Sequence, residues 1–148
     1  MSEKLCLQWN DFQENVKVAF RNLRGDETFT DVTLACEDGQ QVEAHKVILA
    51  ASSPFFKKML ERNKHLHPLI YMRGLKSDDL FAIIDFLYCG EANVFQENLD
   101  SFLSIAKELQ LKGILHQKNF YRLNLIFWIV MGCGIARFGR KGLKTTET

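Results

Sequence analysis

Thr28 to Leu60 reads TFTDVTLACEDGQQVEAHKVILAASSPFFKKML, and this stretch decides the fold. Alternation in Thr30-Asp31-Val32-Thr33-Leu34-Ala35-Cys36 puts Val32, Leu34 and Cys36 on one face of a strand. The Asp38-Gly39 pair supplies a tight turn, and Val42 and Ala44 resume the alternation, so the segment predicts a β-hairpin. The hairpin runs directly into an apolar helical segment, Val47-Ile48-Leu49-Ala50-Ala51. Ser53-Pro54, a cap followed by a proline suited to the first helical position, then opens a second helix.

Working outward, Leu5, Leu7 and Trp9 alternate with Cys6 and Gln8, which predicts a short strand near the N-terminus. Asn10 is placed to cap a helix in which Phe12, Val16, Ala19, Phe20 and Leu23 share one apolar face, with Gly25 as its stop. Downstream, Leu69-Ile70-Tyr71-Met72 predicts another short strand. Ser77 is expected to cap a helix with Asp78 and Asp79 in its first turn, where the helix dipole favours acid. Leu80, Ile83, Ile84, Leu87 and Tyr88 form its stripe, and Gly90 ends it. A last helix starts at Asn98 and carries Leu99, Phe102, Leu103, Ala106 and Leu109 toward the core. Helices surrounding a small sheet make an α+β domain.

This order, with Asp31 in the first strand and Ala44-His45-Lys46 at the strand-to-helix junction, resembles the BTB (POZ) domain, a protein-interaction fold. Leu5-Cys6-Leu7-Gln8-Trp9-Asn10-Asp11-Phe12 is similar to the leader of that family's arthropod transcription-factor branch, represented by tramtrack and bric-a-brac. Phe86 to Val94 is similar to the family's helix end, glycine stop and short strand. The resemblance covers Leu5 to Leu115.

It implies a homodimer or a heterodimer with other BTB domains, extending to larger assemblies, and a nuclear role reached through co-regulators. In such a dimer the N-terminal strand is exchanged and the first helices pack across a two-fold axis. Leu5, Leu7, Trp9, Phe12, Val16 and Phe20 are then the interface. The resemblance also implies that Asp31 and Lys46 form a charged pocket beside it. The residues alone leave Asp31 equally open to a strand-edge or helix-terminus role. A cullin-type ubiquitin ligase adaptor is the alternative within the wider family, with Phe55, Phe56, Met59 and the Leu60-Glu61 step near the docking surface.

Charge argues against direct nucleic-acid binding by the domain. Residues 1–117 hold 13 Lys and Arg against 17 Asp and Glu, and phosphate-backbone affinity rests on cationic side chains releasing counterions. Cys6, Cys36, Cys89 and Cys133 lie too far apart in sequence for zinc pairs and read as reduced, mostly buried thiols. MSEKLCLQWN has no apolar signal core. His45 at the junction reads as hydrogen-bonded structure, and His65 and His67 as solvated. No nucleophile elbow, phosphate loop or His-Glu-x-x-His pair is present, so no enzyme activity, metal or cofactor is expected.

Residues 118–148 form a tail unlike the domain at 1–117. Leu123 to Ala136 is almost wholly apolar, yet its fourteen residues fall short of the roughly 20 a spanning helix needs. Tail anchor, docked helix and alternative-exon product all fit; the first would make the chain a small membrane-tethered scaffold. A basic run from Arg137 to Lys144 follows, with no paired zinc ligands of a DNA-binding module.

Overall fold

The computed structural model describes residues 2–114; the tail at 118–148, the expected domain end at 117 and Cys133 lie outside the described residues. The hairpin is present: β1 (Val32–Cys36) runs antiparallel to β2 (Gln41–Ala44), with Leu34 opposite Val42. Gly39 takes φ 83° in its turn, a conformation glycine adopts without steric cost. A third strand, β3 (Leu69–Met72), pairs parallel to β1 with Leu34 opposite Ile70, so the sheet order is β2-β1-β3. β1 is therefore central. All five of its residues are buried, whereas its alternation predicted a single covered face.

Four helices pack with the sheet or at its end, after a first helix that does not. That first helix is α1 (Phe12–Leu23); α2 (Lys46–Ser52) and α3 (Pro54–Arg62) follow the hairpin. Ser53 caps α3 by accepting the Phe56 N–H at 3.1 Å, and its fully buried hydroxyl donates to the Leu109 carbonyl. α4 (Ser77–Cys89) buries the expected stripe and ends at Gly90 with φ 74°. A single 3-10 turn, Gln96–Asn98, leads into α5 (Leu99–Glu108), whose Phe102 and Ala106 close the core. The core gathers Leu34 and Ile70 from the sheet with Phe56, Leu80, Ile84 and Ala106 from the helices.

Several expected details differ. Leu5–Trp9 forms no strand, because within one chain no sheet edge meets it. Asp11, with φ 58°, rather than Asn10 precedes α1, and no side chain caps that helix. Ser77 is the first residue of α4 rather than its cap, and its N–H donates instead to the Asp38 carboxylate at 3.0 Å. Val94, expected in a short strand, belongs to none. Cys36 is buried, Cys89 half-buried and Cys6 exposed, so burial of the thiols holds only in part. Among the described residues no helix is long and apolar enough to cross a membrane.

Candidate functional site

None of residues 2–31 is buried. Leu5, Leu7 and Trp9 are 83%, 91% and 62% exposed, which is far from the usual fate of large apolar side chains. Trp9 stacks its edge on Phe12, with ring centroids 5.2 Å apart. In α1, Phe12, Val18 and Phe20 are exposed and Val16 is half-buried; the helix contributes no buried residue although Phe12, Val16, Phe20 and Leu23 share one face. The structure thus brings Trp9 and Phe12 together and leaves the sequence-assigned interface residues on the surface of the single chain.

α1 rests against α4. Arg24 Nε donates to Asp85 Oδ1 at 2.6 Å, and Arg21 reaches the Glu91 carboxylate at 3.5 Å. Leu23 packs on the core from the same end.

The link from α1 to β1 is held by a polar relay. His45 Nε2 donates to the Thr28 carbonyl at 2.9 Å; a carbonyl only accepts, which assigns the proton to Nε2. Nδ1 then accepts from the Tyr88 hydroxyl at 2.7 Å, and the Tyr88 oxygen accepts the His45 main-chain N–H at 2.9 Å. Burial pushes the Tyr88 hydroxyl pKa up, an effect that the His45 N–H and the Arg24 guanidinium partly offset. His45 is a buried structural residue, as its junction position suggested. Phe29, in this link, is exposed and adopts φ 63°.

Asp31 and Lys46 are brought together, but not as an ion pair. Asp31 Oδ1 accepts the main-chain N–H of Lys46 at 2.7 Å, so the carboxylate caps the start of α2. The Lys46 ammonium turns away to the carbonyls of His65 and Leu66, at 2.7 and 3.1 Å. Helix capping draws Asp31 to the main chain because the first N–H groups of a helix have no partners inside it. His67 is exposed, as expected, but also tied down: its Nε2 lies 3.0 Å from Glu43 and 2.9 Å from the Thr33 hydroxyl, pinning the loop before β3 to the sheet. Its spacing in sequence gave no hint of this, since the partners lie on two other strands.

A cleft of about 190 Å³ lies beside α4, lined by Asp78, Asp79, Phe81, Asp85 and the loop residues Asn93, Val94 and Phe95. Among the described residues, no group of His, Cys, Asp and Glu side chains is arranged to hold a metal. The described surface offers apolar contact area.

An α+β domain of this topology, with an uncovered apolar arm and first helix, has the make-up of a protein-interaction module. The chain belongs to the BTB/POZ family: the profile of the BTB/POZ domain matches residues 20–124. It is 49% identical over 112 residues to the Longitudinals lacking protein-like protein of Drosophila melanogaster, covering 76% of this chain and 87% of that one. Broad-complex core protein of the same organism is 44% identical over 117 residues, but those are 79% of this chain and only 16% of the relative. Tramtrack, alpha isoform, is 42% identical over 113 residues, 76% of this chain and 14% of that protein. Among solved structures, the BTB domain of zebrafish PATZ1 superposes with a TM-score of 0.65 at 20% identity, covering 86% of this chain and 98% of that one. The BTB domain of human Gigaxonin gives 0.63 at 20%, with 77% and 93% covered. These two establish the fold.

Proposed function

We propose that this chain is a dimerisation module of transcription regulators, acting in the nucleus by pairing with itself or with other BTB domains. Leu5, Leu7 and Trp9 form the exchanged arm, and Phe12, Val16 and Phe20 form the helical face that the partner covers. The observation that carries this reading is α1 itself: a twelve-residue helix with an apolar face that buries none of its residues and meets the core of its own chain only through the half-buried Leu23 at its end. Burying that face and the arm in a second copy removes from water what the monomer leaves exposed, at roughly 25 cal/mol per Å². Asp31 and Lys46 support the interface from below by fixing the start of α2 and the loop at His65. An influence on gene expression then comes from partners and from competition for dimer slots, since the acidic body has no footprint for a phosphate backbone.

Light scattering on the full chain, followed by mixing with a labelled tramtrack BTB domain, tests this. The expected results are a two-subunit mass and energy transfer between labels. A single-subunit mass with no transfer at tens of micromolar refutes it.

A further inference from the structure

A helix without buried residues needs another reason to stay where it is. Isolated helices of about a dozen residues are marginal in water, and α1 has no side-chain cap. Its fixed contacts sit at one end: Leu23 on the core, Arg24 on Asp85 and Arg21 on Glu91. Asp85 belongs to α4 and Glu91 directly follows its Gly90 stop, so both acids lie on or next to one helix. Just beyond, His45 grips the Thr28 carbonyl and closes the link to β1. Phe12 and Phe20 are thereby left exposed while the end at Leu23 and Arg24 is held.

We propose that the Arg24–Asp85 pair is a positioning contact that fixes α1 on α4 and so sets the strength and the salt sensitivity of self-association. This rests on the reading of α1 as the interface. An ordinary exposed ion pair contributes little. This one is closer, at 2.6 Å, and its arginine is only 28% exposed. In a two-fold dimer it also occurs twice, so its loss is felt twice. An assembly built on apolar contacts would gain strength or stay constant with added NaCl, whereas one that depends on this clamp weakens as the charges are screened.

The test uses the full chain, Asp85→Ala, and the charge exchange Arg24→Asp with Asp85→Arg. Sedimentation reads the dimer dissociation constant across a NaCl series, and hydrogen exchange reads the α1 amides. Asp85→Ala is expected to raise the dissociation constant about tenfold, and the double exchange to bring it back to within about threefold of the parent. The parent itself dissociates more readily as NaCl rises. The α1 amides exchange faster in Asp85→Ala, while those of β1 keep their protection. Unchanged dissociation and α1 exchange in Asp85→Ala overturn the proposal. So does loss of β1 protection in Asp85→Ala, or a double exchange no better than the single change. Should the parent never dimerise, the proposed function fails on its own, and α1 exchange in the monomer still decides whether the clamp exists.

Discussion

Val32 to Ile114 and Ser2 to Asp31 follow opposite rules. In the first region the central strand is buried on both faces and α2, α3, α4 and α5 each surrender side chains to one core. In the second, apolar residues are just as regularly spaced, yet none is buried. Periodicity therefore reports that a face is meant to be covered, not by which chain. The body answers from within; the proposed answer for the arm and α1 is a partner.

Changes in the body should act on folding and only through it on assembly. Phe56 is fully buried between α3 and the rest of the core. Phe56→Ala should cost about 3 to 5 kcal/mol, read as a lower urea midpoint, and weaken assembly only by reducing the folded fraction. Tyr88→Phe is next: it removes the partner of both the His45 ring and its main-chain N–H. The cost should be about 1 to 3 kcal/mol, and exchange should quicken around Thr28 before it does in β1. Both variants should lose stability equally at concentrations where the chain is dissociated and where it is assembled, which separates them from changes in α1.

The smallest effect concerns Asp38. Hydrogen bonding from the Ser77 side chain and main chain holds its carboxyl below the usual range, with a smaller contribution from Gln40. A carboxyl depressed in the folded state stabilises fully above its unfolded pKa of about 3.9, and that benefit fades as pH falls through the lower folded value. The urea midpoints of the parent and Asp38→Asn should differ slightly at pH 7 and converge below about pH 4. A gap that stays constant through that range would show that the charge on Asp38 is not what α4 senses.

Much of the body was legible in the sequence because its signals are local. Asp38-Gly39 marks a turn, Ser53-Pro54 a helix start and the Leu80-to-Tyr88 spacing a buried stripe, and each needs only near neighbours to be read. What the sequence missed involves residues distant in the chain. A helix-terminus role for Asp31 was open in the sequence, but not that its helix starts fifteen positions on, and His67 reaches across two strands to Glu43 and Thr33. Arg24 finds Asp85 only because α1 lies along α4. The Leu5-to-Trp9 alternation was visible, but a strand exists only where an edge accepts it, and none does so in the described chain.

One measurement bears most directly on the division between body and arm. Phe12→Asp combined with Phe20→Asp places charge on the outer face of α1 without touching a buried residue. Sedimentation equilibrium over a wide concentration range, with circular dichroism on the same samples, should find the parent dimeric and the variant a folded single subunit. A parent that stays a single subunit throughout, or a variant that still pairs as tightly, would contradict the assignment of the exposed arm and α1 to a partner.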